Sequence, residues 1–419
     1  MHPRTRTTIR LRRALLAAVL AGMAAHASAQ NAAPPAPLSL KDLFEAAWAR
    51  QPEAQALQAR RDAAQAQRRV ADAWTPEPPA LEASHKTDRL TRNDGARELE
   101  VGIAVPLWLP GERRNTGALA DAELAATDGR AGAARLRLAA AVRDAWWNWQ
   151  RAGVEVEIAR GHLDSARGLA SDVVRRAKAG ELARADQNQA DGAVAAAEAS
   201  LAAAEAAATA ALQQLKAISG GALAAVPAGV PQAEPEPPAG DVPTHPALME
   251  LQARATVAER AAALAATQSR GNPELTLATT RDRGASGERY GQTVTLAVRI
   301  PFGGGPRHES RIATALADAT EAQAQLALDR ARLQSERDAA VAGIAAARAQ
   351  LAAAERRATL ARETRGFYEK SFRLGETDLP TRLRIEAEAT EAERQAARSR
   401  IELAAAISTW RQALGLLPQ

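Results

Sequence analysis

The chain has 419 residues, 54 Lys and Arg against 49 Asp and Glu, and no cysteine. Without cysteine there is no disulfide, no thiolate metal site and no lipid-modified N-terminal Cys. Residues 1–29 hold five of the arginines and no acid, so the remainder balances at 49 against 49, and a nucleic-acid partner would find no basic stripe to bind.

The first segment reads as an export signal. Arg4, Arg6, Arg10, Arg12 and Arg13 precede a short apolar run from Ala14 to Ala25, and Ala27-Ser28-Ala29 fits the small-x-small cleavage rule. This predicts a signal peptide over residues 1–29, cut before Gln30. The run is too short to span a bilayer, and no later segment offers the roughly 18 apolar residues a transmembrane helix needs.

Two strings of landmarks follow in the same order. Leu57-Gln58-Ala59-Arg60 recurs as Leu251-Gln252-Ala253-Arg254, a shift of 194. Val105-Pro106-Leu107 recurs as Ile300-Pro301-Phe302, and Gly180-Glu181 as Gly375-Glu376, both at 195. The chain is therefore a duplicated unit: a first repeat over 30–219, a Pro/Gly/Ala-rich linker over 220–244 and a second repeat over 245–419.

Each repeat predicts helix, strand, strand, long helix, sharp turn, helix. In the first, a helix runs from Leu40 to Ala73 and ends at Pro76, Pro78 and Pro79. Strands follow at about 79–87 and 98–107. A proline-free stretch from Gly111 to Lys178 is dense in Ala, Arg, Leu and Glu, strong helix formers. Ala179-Gly180 breaks it, and Glu181 to Ser219 resumes. The linker should lack long helix or extensive sheet. The second repeat predicts a helix from Pro246 to Arg270, strands at about 273–281 and 291–301, a helix from Arg307 to Arg373, a turn at Leu374-Gly375-Glu376 and a last helix to Leu416. A helix of about 67 residues is a rod of roughly 100 Å, which points to a tube or coiled coil rather than a globule. The Ala-rich stretch from Ala193 to Ala211 allows close helix packing.

The strands alternate. Leu99, Val101, Ile103 and Val105 share one face, as do Val294, Leu296, Val298 and Ile300, whose other face is Thr, Ala and Arg. Such period-two runs suit lipid on one side and water on the other. Polar loops, with Asn93-Asp94-Gly95 as a strong turn, join the strands of each pair. Four strands do not close a barrel, and a membrane forbids open edges, so several chains must share one; three would supply twelve strands.

This arrangement resembles the TolC-like outer-membrane efflux channels over almost the whole mature chain. The resemblance rests on the duplication, the strand pair before each long helix and the Gly turn after it. It implies a mainly α fold with a small β part. As a homotrimer this makes a 12-stranded β-barrel in outer-membrane lipid, continued by a long periplasmic α-barrel. It also implies a passive exit duct served by a periplasmic adaptor (membrane fusion) protein and an inner-membrane RND-type pump. Within the family the chain is similar to the heavy-metal branch, of cobalt-zinc-cadmium and copper type, through Pro79-Ala80-Leu81-Glu82, Pro273-Glu274-Leu275 and Pro110-Gly111-Glu112-Arg113. That branch suggests metal cations as cargo. The chain departs from copper-type relatives in lacking the lipidated Cys.

The resemblance also places adaptor contact at the helix turns, Ala179-Gly180-Glu181-Leu182 and Leu374-Gly375-Glu376-Thr377. Asp186 matches the acidic position after the first turn. Thr381 and Arg384 fall where relatives often carry aspartates, with Asp378 as an alternative charge at that level; a pairing of Asp186 with Arg384 across the hairpins would hold the tip shut.

The sequence holds no phosphate loop, no His-Glu-x-x-His and no nucleophile elbow, so no enzyme and no cofactor is expected. His85, His162, His245 and His308 are scattered without metal-ligand spacing and read as surface or capping residues. Trp146-Trp147-Asn148-Trp149 reads as packing on the first long helix, and Tyr290, Trp108 and Phe302 as a sparse interface girdle. A periplasmic adaptor would need one hairpin and would not be duplicated. A coiled-coil scaffold would have no use for the strands.

Overall fold

The computed structural model describes residues 39–221, 233–238, 244–303 and 305–419. The expected signal peptide and most of the linker lie outside them. In chain order the described residues form α1 (Leu40–Ala49), α2 (Pro52–Asp72), β1 (Ala80–Thr87), β2 (Arg97–Pro106), α3 (Glu112–Lys178), α4 (Arg184–Ser219), α5 (Pro246–Thr267), β3 (Glu274–Arg283), β4 (Gly291–Arg299), α6 (Gly305–Arg373) and α7 (Leu379–Ala413).

The single helix expected from Leu40 to Ala73 is two. Pro52 sits at the first position of α2, and Gln51 before it is extended, at φ −68° and ψ 137°. A proline disfavours helical backbone in the residue ahead of it, while its own fixed φ suits a helix start. The break frees α1 to turn inward. Ser39 and Asp42 cap it reciprocally, and Leu40, Leu43, Phe44 and Ala47 enter a core with Trp146, Trp147, Leu215 and Ile401. The Trp cluster thus packs as expected, with Trp149 against Trp146 at 5.4 Å between ring centroids.

Helices α3 and α6 run 67 and 69 residues. Each is lined along its length by two shorter helices. Arg61–Asp128 and Arg68–Asp121 tie α2 to the first half of α3; Arg160–Glu205 and Arg167–Glu198 tie α4 to its second half. Gln323 bonds to Glu259 of α5, and Arg400 pairs with Glu355 between α7 and α6. The repeats join through α3, which packs on α5 and α7, with Arg137–Glu250 and Arg151–Glu402 across those seams. The lateral order is therefore α2/α4, α3, α5/α7, α6. Exposed pairs of this kind each contribute about 0–1 kcal/mol, so they set register more than stability. The alanines carry the packing: Ala354, Ala358, Ala392 and Ala396 form one buried cluster between α6 and α7. In α4 only Ala190 and Ala197 of the Ala-rich stretch and its flank are buried.

The strands form one antiparallel sheet in the order β1-β2-β3-β4. Its register sets complete rungs: Leu81, Ile103, Leu277 and Leu296 lie side by side, flanked by Ala83, Val101, Thr279 and Val294 and by Val105, Leu275 and Val298. The other face is small or polar, with Ala80, Ala104, Thr276 and Ala297 on one rung and Glu82, Gly102, Ala278 and Thr295 on the next. That face is concave at its centre. A Cβ placed on Gly102 would stand 2.8 Å from the Ala278 Cβ, whereas facing Cβ atoms in a flat pair stand about 4.5–5.5 Å apart. Gly102→Val should overpack this bend and cost about 1–3 kcal/mol, read as a lower urea midpoint for the chain refolded into vesicles; Thr295→Val at the sheet margin should not.

Candidate functional site

Three regions carry the chemistry expected of the chain: the apolar sheet face, the helix turns, and a buried charge cluster that the sequence does not announce.

On the sheet, Leu99, Val101, Ile103, Val294, Leu296 and Val298 are all exposed. The other two of the eight residues expected on this face sit at its margin. Val105 is half-buried, and Ile300 falls just past the end of β4, where Pro301 supplies no ladder donor. The aromatic assignments also shift. Trp108 donates its indole N–H to the Ala73 carbonyl at 3.2 Å and is structural. Trp74, which the sequence reading passed over, is 94% exposed beside the strands, as Phe302 is at 90%. A Trp two residues before the first proline of the break is the available signal.

The two turns are built alike. Gly180 and Gly375 have φ +82° and +78°, a left-handed conformation that glycine enters without a Cβ clash. Glu181 N–H donates to Arg176 O and Glu376 N–H to Ser371 O, closing each helix with the same six-residue bond. Helix α4 starts at Arg184, three residues later than expected, because Ala183 is extended. Of the turn residues, Ala179 ends α3, Leu182 packs against the cluster of Val173, Phe372 and Leu379, Thr377 shares a hydrogen bond with Ser371, and Leu374 is exposed.

The charged residues near the tip have local partners. The Asp186 carboxylate accepts the Ala183 N–H at 2.9 Å, and Asp378 caps α7 by accepting the Thr381 N–H at 3.1 Å. Arg384 pairs with Glu388 on its own helix at 2.6 Å. Within the chain, then, Asp186 and Arg384 are not brought together. Arg176 joins the two hairpins, beside the apolar cluster of Val173, Phe372 and Leu379. It donates to the Phe372 carbonyl at 2.7 Å, lies 4.8 Å above that residue's ring and pairs with Glu181. Sequence spacing gives no hint of it, because its partner is 196 residues away.

The third region lies where the linker meets the helices. Glu234 is buried, and Arg143 grips its two oxygens at 2.9 and 2.8 Å. Arg411 approaches the same carboxylate at 3.2 Å and donates to the Pro235 carbonyl. Arg143 also donates to Gln412 and to the Leu416 carbonyl. Burial presses the Arg411 pKa down, with Glu234 opposing and Arg143 adding to the effect. The linker residues 233–238 have no regular structure, as expected, yet one of them completes the core.

Histidines serve locally. His245 Nδ1 accepts the Ala247 N–H and caps α5, and burial lowers its pKa. Among the described residues no group of His, Asp and Glu is arranged to hold a metal ion, and no helix is long and apolar enough to cross a membrane.

Against this geometry the comparisons are informative. Residues 43–221 match the family profile described as outer membrane efflux protein. That span covers the first repeat, from the strand pair through the long helix to the helix after the glycine turn, and the second repeat gives those elements again in the same order. The fold is shared with VceC of Vibrio cholerae at 20% identity and TM-score 0.73, over 90% of this chain and 96% of that one. It is shared with CusC, described in terms of transmembrane channel formation, at 16% and 0.75, over 90% and 92%. The open state of the MtrE outer membrane channel of Neisseria gonorrhoeae matches at 15% and 0.69, over 90% and 89%. No curated protein matches the chain in sequence.

Two predictions follow from the tip and the linker. Removing the shared carboxylate with Glu234→Ala leaves two arginines buried without a counter-charge, and should cost about 3–5 kcal/mol in thermal or urea unfolding, with Glu234→Ala/Arg411→Met recovering part of it. At the tip, the hydroxyl and backbone N–H of Thr381 hold the Asp378 carboxyl below its ordinary 3.8. The cap is therefore at full strength above that pH and is lost as pH falls through the lower folded value. Amide exchange at the start of α7 should accelerate on that acid side, and in Asp378→Ala it should be fast at every pH.

Proposed function

We propose that three copies of the chain assemble into a continuous outer-membrane and periplasmic duct. The observation that carries this reading is the alignment of its free edges. Strand β1 and helices α2 and α4 lie along one side of the protomer, and β4 and α6 along the other. Pairing β4 of one copy with β1 of the next closes the sheet, and the same step sets α6 beside α2 and α4. Leu316, Leu328, Val341, Leu360 and Phe367 of α6 are at least half exposed in the single chain, an apolar burden that such a contact would relieve. Twelve strands and a ring of helices result.

In this reading the signal peptide exports the chain and the apolar sheet face meets lipid. The paired turns at Gly180 and Gly375 receive a periplasmic adaptor fed by an inner-membrane pump of RND type. Asp186, Asp378, Thr381 and Arg384 then lie around the narrow end, with Arg176 fixing each pair of hairpins. Cations are the favoured cargo. On the concave face Lys86 pairs with Glu98 and Arg299 with Glu274, while Glu82, Glu100 and Asp282 hold no ion pair. Growth of a deletion strain across metal salts tests the cargo; unchanged metal tolerance would count against it.

Assembly is tested on unheated gels after extraction from outer membranes, where a heat-dissociable trimer is expected and a folded monomer would overturn the reading. Val101→Arg or Leu296→Arg should cost about 2–4 kcal/mol of insertion near the midplane and deplete the trimer. Thr295→Arg, on the concave face, should leave the trimer intact and alter single-channel conductance.

A further inference from the structure

The apolar face of the sheet does not end in neutral residues. At the end away from the long helices, Arg97 and Arg283 stand directly opposite each other on β2 and β3, and Arg281 lies two residues along the same face. Like charges facing across strands destabilise a sheet. Among the described residues these three form no ion pair; the carboxylates of Glu98 and Asp282 belong to the opposite face by register. In the adjoining loops Asp88 accepts the Gly95 N–H and Glu288 the N–H groups of Gly284 and Ala285. Tyr290 gathers two of the guanidinium groups, with Arg281 at 4.5 Å and Arg283 at 5.0 Å from its ring centroid. Arg283 is further fixed by donating to the Gly95 carbonyl. The result is an ordered basic collar, held on an aromatic platform, bordering the apolar band of Leu99, Val101 and Ile103.

We infer that this collar binds the phosphate groups of the phosphorylated glycolipid in the outer leaflet. The inference rests on the proposed membrane orientation, which puts the strand turns outside and the long helices in the periplasm. A planar guanidinium donates in a fixed fork that matches phosphate oxygens. The apolar band just below would receive the acyl chains of the same lipid, so one molecule meets both halves of the site. In a threefold assembly the site occurs once per protomer around the barrel rim.

The test uses the full chain purified in mild detergent, with bisphosphorylated lipid A and enzymatically dephosphorylated lipid A as probes. Wild-type trimer should bind the phosphorylated form at least about tenfold more tightly, with a preference that falls as salt rises. Arg97→Gln/Arg281→Gln/Arg283→Gln should lose the preference, and the corresponding triple Lys variant should keep most of it. Equal binding of the two lipids by wild-type trimer overturns the inference without any variant. Retention of the preference in the triple Gln trimer overturns it as well. Competition by millimolar inorganic phosphate would assign the collar to free phosphate instead and overturn the lipid assignment. A chain that never forms an inserted trimer overturns the channel reading itself, and this inference with it; an inserted trimer indifferent to lipid phosphate overturns only the inference.

Discussion

Hydrocarbon offers a peptide group no hydrogen-bond partner, and four strands leave two rows of such groups open. In the proposed assembly that constraint organises the molecule. The strand ladder is complete from β1 to β4, and both unpaired edges belong to strands exposed along their whole length. The rungs divide the sheet into a face of Leu, Val and Ile and a face of Ala, Gly, Thr and carboxylates. The close approach of Gly102 to Ala278 bends it toward the second. A sheet that curves away from its apolar side is suited to lipid outside and water within.

The helices extend the same logic by length rather than by core volume. Two rods of about 100 Å carry few large buried side chains over most of their course, and alanine contacts with exposed ion pairs fix their register. The largest hydrophobic burial is where α1, Trp146, Trp147, Leu215 and Ile401 meet, with a smaller cluster of Val173, Phe372 and Leu379 at the tip. The charge cluster on Glu234 sits nearby through α3 and α7. The tip adds backbone caps and Arg176 between the hairpins to that smaller cluster.

Much of this could be read from residue order. The duplication, both long helices, the strand alternation and the glycine turns all depend on local pattern, and the structure places α3 at Glu112–Lys178 where the proline-free run predicted it. The differences have two kinds of cause, one local and one long-range. The helix expected from Leu40 to Ala73 leaves out the local effect of Pro52, which holds Gln51 extended and divides the helix. Arg176, Arg143 and Arg411 were invisible because their partners lie far away in the chain. Asp186 and Arg384 have comparable positions after their turns, but nearer partners, a helix start and a residue one turn on, engage them first. A Glu in a Pro-rich linker gives no sign that it will be buried.

The contacts around Arg143 also order events in time. They draw together α3, the linker and the last residues of the chain, with sequence separations of 91 to Glu234, 269 to Gln412 and 273 to Leu416. Such distant closures come late and slow a folding reaction. A nascent chain gains Glu234 for Arg143 after 91 further residues, but Gln412 and Leu416 only much later. Glu234 supplies the counter-charge to Arg143 well before Gln412 and Leu416 add the last acceptors, so the pair can form first and the final turn of α7 then closes over it.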